Sequence, residues 1–193
     1  MLKKTFIMLA APGMIGKSTA AQAASKPFPM VHMLENDELM QKLFDIVRLP
    51  RNLPINEMAE WRSEVSKKAD CDKLIRLLHR DEVSRHNEKS VVLAEGYPYM
   101  RQWYRNQVRD GLQRLDFTIE YWLLQYYPPL DEQVRRRAKK SFEWGWDPKS
   151  YSFDEQEIIK SWDDFQSPTD EAVHFEKVDD ARLMEIMKQI VGD

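Results

Sequence analysis

A glycine-containing segment near the start of the chain, Ala11-Pro12-Gly13-Met14-Ile15-Gly16-Lys17-Ser18-Thr19, constrains the fold more than any other feature. It follows a short apolar run over 5–10 and precedes a helical pattern over 17–24. A glycine loop between strand and helix is typical of phosphate-binding loops, where backbone N–H groups and a helix N-terminus face phosphate oxygens. The spacing fits that motif, with Ala11 in place of the usual first glycine. The alternative is a strand-to-helix turn that binds nothing.

The loop motif assigns roles to its residues. Lys17 would neutralise the β and γ phosphates of ATP, and Ser18 would bind Mg²⁺. The residues expected to hold the nucleotide are Pro12, Gly13, Met14, Ile15, Gly16, Lys17, Ser18 and Thr19.

Short apolar runs alternate with longer helical patterns along the rest of the chain, which predicts an α/β fold with a parallel sheet. Further strands are predicted over 27–34, 91–94, 117–126 and 172–178, and helices over 37–47, 98–112, 131–141, 154–165 and 179–190. Prolines in 48–54 indicate a helical excursion at about 48–88, with helices over 55–66 and 70–86. The aromatic stretch 142–153 has no clean period and predicts a lid at about 136–155. We expect one domain over 1–193.

Composition excludes several classes of protein. The charge is 29 − 32 = −3, which argues against a protein that coats duplex nucleic acid. The single cysteine, Cys71, excludes an intramolecular disulfide, and no two of the four histidines lie at metal-ligand spacing. The first apolar run is too short for a signal peptide or a membrane span, so the expected location is the cytoplasm.

Carboxylates follow two of the predicted strands. If the chain is a phosphotransferase, Asp37 could orient an acceptor hydroxyl and take its proton; otherwise it could merely cap the next helix. Glu35 would face the Mg²⁺ side. Glu95 ends an all-apolar strand and would be costly to bury unpaired, so Mg²⁺ or Lys17 is its natural partner.

These features in this order resemble the P-loop kinases, the adenylate kinase-like group that includes shikimate kinases, polynucleotide 5′-kinases and zeta-toxin kinases. Glu35-Asn36-Asp37 is similar to the acidic end of the family's second strand, and Glu95-Gly96-Tyr97-Pro98 to the Asp-Gly-Phe-Pro of adenylate kinases. Arg135-Arg136-Arg137 lies where the family has lid arginines, and 173–180 resembles its fifth strand. The resemblance implies a three-layer P-loop NTPase sandwich with a five-stranded parallel sheet in the order 2-3-1-4-5.

Two basic groups could bind phosphate. Tyr99 stands where nucleotide kinases have a phosphate-binding arginine, so Arg101 or Arg105 could substitute, or the acceptor lacks that phosphate. After the fourth strand, Arg136 is the expected clamp on the transferring phosphoryl group, although the run could be a solvated basic face. The cations of this run are Arg135, Arg136, Arg137, Lys139 and Lys140.

Aromatic residues of the lid could stack on bases or simply pack the lid against its domain, and those of the acceptor side could line the acceptor pocket or pack the helices. Those of the lid are Trp144, Trp146, Tyr151 and Phe153, and those of the acceptor side are Trp61, Trp103 and Tyr104. The expected activity is transfer of the ATP γ-phosphoryl group to a nucleotide, a nucleoside or a polynucleotide, including a single-stranded nucleic acid end. The alternatives are a kinase of a non-nucleotide small molecule and a P-loop NTPase without an acceptor.

Overall fold

The computed structural model describes residues 2–47, 70–143, 155–169 and 172–192. Five strands form one parallel sheet in the order β2-β3-β1-β4-β5, as the resemblance implies. The strands are β1 (Leu2–Ala10), β2 (Val31–Glu35), β3 (Val91–Glu95), β4 (Phe117–Tyr126) and β5 (Val173–Val178). The helices are α1 (Lys17–Ser25), α2 (Asn36–Val47), α3 (Cys71–Arg85), α4 (Gln102–Leu112), α5 (Leu130–Glu143), α6 (Glu155–Lys160) and α7 (Asp180–Val191).

Helices cover both faces of the sheet and bury its central strands. One core cluster joins the sheet to α3 and α4 through residues such as Val83 and Val108. A second cluster joins the opposite face to α1 and α7 through Ala21 and Ile186. β3 is buried along its whole length, which explains its uninterrupted apolar sequence. The result is the three-layer sandwich that the motif order predicts.

Several predicted boundaries are wrong. The second strand begins at Val31, four residues after the predicted start. The helix predicted over 98–112 is interrupted, because the extended backbone of Arg101 (φ −100°, ψ 128°) separates a 3₁₀ turn, Tyr97–Met100, from α4. The helix predicted over 154–165 ends at Lys160.

The two predicted peripheral segments are described only in part. The helix expected over 70–86 is α3, whereas the one expected over 55–66 lies outside the described residues. The first part of the predicted lid continues α5 to Glu143, and 144–154 lies outside the described residues. None of the helices described is long and apolar enough to cross a membrane.

Candidate active site

The loop between β1 and α1 is bent by two residues with left-handed backbone conformations. Met14 has φ 65°, and Gly16, which precedes α1, has φ 94°. A side chain at Gly16 would be strained by that φ, and its Cβ would also lie 2.6 Å from Nη1 of Arg136. Ile15 is fully buried and anchors the loop to the core beneath α1. The loop therefore has the strand-to-helix setting that phosphate binding needs.

Lys17 and Ser18 converge on Glu95 at the carboxyl edge of the sheet. Ser18 Oγ donates a hydrogen bond to Glu95 Oε1 at 3.0 Å, and Lys17 Nζ lies 3.6 Å from Glu95 Oε2. Glu95 ends β3, paired with Leu9 of β1 on one side and Glu35 of β2 on the other. The parallel register thus brings two distant sequence motifs into contact.

The buried carboxylate of Glu95 is only partly satisfied by hydrogen bonds from the described residues. The residue is 3% exposed, and its Oε2 accepts no hydrogen bond from the described part of the chain. Burial raises the pKa of Glu95, opposed by Lys17 and Ser18 and reinforced by the charges of Asp37 and Glu35. A carboxylate in this position gains free energy from an added cation, so Ser18 and Glu95 fit a Mg²⁺ site.

The other two predicted carboxylates lie close by, at the junction of β2 and α2. Glu35 is half-buried and accepts a hydrogen bond from Gln22 Nε2 at 3.2 Å. Asp37 is exposed in the first turn of α2, which itself begins at Asn36. Asp37 therefore has the solvent access that an acceptor-binding residue needs.

Asn36 and Gly96 fix that junction. Asn36 is buried, and its Oδ1 accepts a hydrogen bond from the Tyr104 hydroxyl at 2.8 Å. A Cβ added to Gly96 would lie 2.5 Å from the Asn36 Cβ. Only glycine allows this close approach of the segments that follow β2 and β3. This explains the glycine of the Glu-Gly-Tyr-Pro motif.

Arg136 lies over the loop but is held by the protein. It hydrogen-bonds Glu132 (2.7 Å from Nη2), Asp180 (2.6 Å from Nη2), the Ile15 carbonyl (3.2 Å from Nη1) and the Tyr126 hydroxyl. The Tyr126 hydroxyl also donates to Asp180 at 2.7 Å. Hydrogen bonds to these partners hold the pKa of Arg136 above its usual range despite partial burial. This arginine links α5, β4 and α7 to the loop.

Arg137 occupies the buried face of α5, between Gln133 and Ser141 at helical spacing. Ser141 Oγ lies 3.9 Å from the Met14 sulfur, so this face is directed at the loop. The Nε and Nη1 groups of Arg137 are buried, and no hydrogen-bond partner for them exists among the described residues. The sequence favours Arg136 as the phosphoryl clamp among three adjacent arginines. Arg137 lies four residues from each of two buried residues, Gln133 and Ser141, and this spacing distinguishes it from the other two arginines.

The two arginines expected to bind an acceptor phosphate differ in their surroundings. Arg105 is 2% exposed and donates hydrogen bonds to Tyr99 O at 2.7 Å and to Gln166 O. Burial lowers its pKa to about 10. Arg101 is partly exposed and pairs with Asp164 at 3.2 Å. Arg105 is committed to backbone carbonyls, so of the two only Arg101 has an exposed guanidinium for a ligand.

Aromatic residues on the acceptor side serve mainly the core. Tyr99 is fully buried, and its hydroxyl lies 2.9 Å from His79 Nε2. Tyr104 is also buried and packs edge-on against Tyr99, whereas Trp103 is 46% exposed. Tyr104 therefore packs the helices, the second of the two roles expected for it. The remaining aromatic residues of that expectation, Trp61, Trp144, Trp146, Tyr151 and Phe153, lie outside the described residues.

Solved structures share this fold at low sequence identity. A candidate kinase from Chloroflexus aurantiacus matches with a TM-score of 0.57 and 13% identity, over 98% of each chain. The APS kinase of Mycobacterium tuberculosis, in complex with AMPPNP and APS, matches with a TM-score of 0.54 and 15% identity, over 98% of this chain and 96% of that one. The tunicamycin resistance protein of Deinococcus radiodurans matches with a TM-score of 0.54 and 14% identity, over 97% of this chain and 93% of that one.

No family model matches the sequence, and no curated protein matches it. The chain has the fold of the P-loop kinases, as its motifs indicate.

Proposed function

We propose that this protein is an ATP-dependent kinase. The observation that carries the proposal is the convergence of Lys17 and Ser18 on the buried carboxylate of Glu95. Phosphoryl transfer requires several groups around the phosphates of ATP. They are turn residues, the N-terminal end of a helix, a lysine, and a hydroxyl paired with a carboxylate. If the strand-to-helix turn bound nothing, there would be no reason to bury Glu95 beside Lys17 and Ser18.

Each residue has a distinct part in the proposed reaction. Pro12 to Thr19 surround the phosphates, and Lys17 neutralises their β and γ oxygens. Ser18 and Glu95 hold Mg²⁺, with Glu35 beside them, and the ion supplies charge neutralisation of the transferring group. Asp37 orients the acceptor hydroxyl and takes its proton as the oxygen attacks the γ-phosphorus in line with the departing ADP.

The acceptor in this proposal is nucleotide-type. The Glu95-Gly96-Tyr97-Pro98 motif supports it, and Trp103 offers an exposed ring on the helix that follows. Arg101 could contact an acceptor phosphate. The APS kinase with this fold binds a nucleotide acceptor, whereas a structure described as a sugar kinase from Janibacter matches comparably, with a TM-score of 0.52 and 13% identity over 100% of this chain and 96% of that one. The acceptor class is therefore the part to test first.

The experiment is a transfer assay with γ-labelled ATP against nucleosides, nucleotides, 5′-hydroxyl oligonucleotides and sugars, with Lys17→Ala as the control. Label on a nucleotide-type acceptor that disappears in folded Lys17→Ala supports the full proposal. Label only on a sugar keeps the kinase and overturns the acceptor class. Phosphate release without labelled acceptor identifies an NTPase, and full activity of Lys17→Ala ends the kinase proposal.

A further inference from the structure

Three side chains meet beside the amino end of β2, away from the phosphate-binding loop. They are His32 of β2, Glu82 of α3, and His86 immediately after α3. Each offers one ligand atom, and these three atoms all lie within 4.8 Å of one another. Glu82 Oε1 lies 3.6 Å from His32 Nε2 and 3.5 Å from His86 Nε2.

These separations fit one metal ion. With metal–ligand distances of about 2.0–2.1 Å, the ligands of a tetrahedral Zn²⁺ site lie about 3.4 Å apart. Two imidazoles and one carboxylate, with a fourth position left for water, are a donor set typical of zinc. His86 is 34% exposed at its side chain, so an ion can enter from solvent. The two imidazole rings are stacked 3.7 Å apart, and they must turn out of that stack to share an ion.

The surroundings prepare the three ligands. His32 Nε2 is buried and has no hydrogen-bond partner in the described part of the chain, so this nitrogen can bind a metal ion.

The remaining contacts orient the ligands from outside. Lys42 and Arg85 contact Glu82 Oε2, at 2.9 and 3.4 Å, and leave Oε1 facing the two rings. His86 Nδ1 lies 3.9 Å from the Glu88 carboxylate, a charged contact beyond hydrogen-bond distance. Lys4 Nζ hydrogen-bonds Asn87 O at 2.7 Å, which ties the segment after His86 to the sheet.

We propose that His32, Glu82 and His86 form a binding site for a divalent transition metal, with Zn²⁺ as the expected ion, that fastens α3 to the edge strand β2. The site is separate from the proposed catalytic centre. His32 and Glu35 lie on β2 about 10 Å apart, on opposite faces of the sheet. Kinase activity and this site can therefore fail independently.

The spacing of the four histidines along the chain does not indicate this site. Glu82 and His86 are spaced at i and i+4, in the last turn of α3 and just after it, and His32 joins them only because β2 and α3 pack together in the fold. The spacing of Glu82 and His86 can be recognised in the sequence, but only when glutamate is considered as a ligand together with histidine.

The test uses tag-free, full-length protein without nucleotide, titrated with Zn²⁺ by calorimetry and with Co²⁺ by visible absorption. We expect one Zn²⁺ per chain, an absorption band typical of low-coordinate Co²⁺, and a higher melting temperature with Zn²⁺. His86→Ala and His32→Ala should each weaken binding at least about tenfold, since even outer partners of metal ligands contribute that much. His174→Ala, which changes an exposed histidine on β5, should bind normally.

Three results would overturn the proposal. One is a wild-type protein that binds no Zn²⁺, and another is wild-type binding that His86→Ala and His32→Ala, both folded by circular dichroism, leave unchanged. The third is binding lost in Glu95→Gln but retained in the histidine variants, because the ion would then occupy the carboxylates beside the phosphate-binding loop.

Discussion

The burial of the Glu95 carboxylate provides the proposed cation site but lowers the stability of the protein. Its carboxylate is nearly inaccessible to solvent, and burial raises its pKa against the opposing effects of Lys17 and Ser18. A carboxyl group with a raised pKa in the folded state destabilises the protein as pH rises through that pKa, and the full cost is present above it. The proposed gain is a cation site that operates only when Mg²⁺ and nucleotide bind.

We therefore predict that Glu95→Gln stabilises the unliganded protein and impairs catalysis. At pH 7 the amide removes the buried charge, and each 1 kcal/mol so gained raises the melting temperature by about 2–4 °C. The rate of phosphoryl transfer should fall by about 10²-fold or more. Glu120→Gln is the matched control, because the hydrogen bond from Lys3 lowers the pKa of Glu120, and its loss should not raise the melting temperature. A lower melting temperature for Glu95→Gln would mean that pairing with Lys17 outweighs burial.

Asp37 provides a second residue-scale prediction. Asp37→Asn should lower kcat by about 10²-fold or more with ATP affinity little changed, because asparagine cannot accept the acceptor proton. The measurement is steady-state kinetics together with ATP binding by calorimetry. A rate close to that of wild type would assign Asp37 to the first turn of α2 alone, where its negative charge interacts favourably with the helix dipole.

At the level of elements, the crossing of α3 and α4 depends on one glycine. A Cβ added to Gly111 of α4 would lie 2.5 Å from the carbonyl oxygen of Arg76 on α3, a backbone atom that cannot rotate away. Gly111→Ala should reduce the free energy of unfolding in urea by about 1–3 kcal/mol, the usual cost of overpacking. Gly13→Ala, which meets no atom within 4 Å, should leave it within about 0.5 kcal/mol. Equal stability of the two variants would show that α3 and α4 separate at little cost.

The same helix pair contains a buried histidine that predicts acid sensitivity. His79 Nδ1 donates to Ile75 O at 2.9 Å, and Nε2 accepts from the Tyr99 hydroxyl at 2.9 Å, so the ring is neutral. Burial lowers its pKa to about 4 from an ordinary 6.5. Between these values the unfolded chain binds the proton and the folded protein does not, so stability falls as pH falls from about 6.5 to about 4.

The stability lost through His79 approaches about 3 kcal/mol across that window, at no more than about 1.4 kcal/mol per pH unit. Urea unfolding at pH 7, 6 and 5 should show a shallower pH dependence for His79→Gln than for wild type, whereas exposed His174→Gln should follow wild type. Parallel curves for wild type and His79→Gln would contradict a buried neutral imidazole.

The sequence predicts the sheet well because each strand is a short apolar run between polar turns, and burial on both faces demands that composition. Boundaries near Val31 and Arg101 are missed because they depend on backbone conformation and on strand partners far away in the chain. The loop motif is local, so its strand-to-helix setting follows from the sequence. The pairing of Lys17 with Glu95 follows from the cost of burying a carboxylate at the end of an apolar strand, whereas the contact of His32 with Glu82 depends wholly on tertiary packing.

At the scale of the whole molecule, one arginine joins the helices beside the loop. Arg136 bonds Glu132 on its own helix, Asp180 of α7 and the Ile15 carbonyl of the loop. Its guanidinium is thus part of the structure that holds α5 and α7 around the loop between β1 and α1. The adjacent Arg137 has buried Nε and Nη1 groups without partners among the described residues, which are suited to phosphate oxygens.

The two arginines should therefore differ in their effects when each is replaced by alanine. Arg136→Ala should cost about 1–3 kcal/mol of stability, because it leaves Glu132 and Asp180 without their shared partner. Arg137→Ala should change the melting temperature little and weaken ATP binding at least about tenfold, the value of one charge-assisted hydrogen bond. Arg135→Ala, which removes a side chain 76% exposed, is the matched control and should change neither. Thermal unfolding and ATP calorimetry of the three variants separate the roles. If Arg136→Ala keeps its stability but loses transfer activity, Arg136 leaves its partners to clamp the phosphoryl group, and the assignment to Arg137 is wrong.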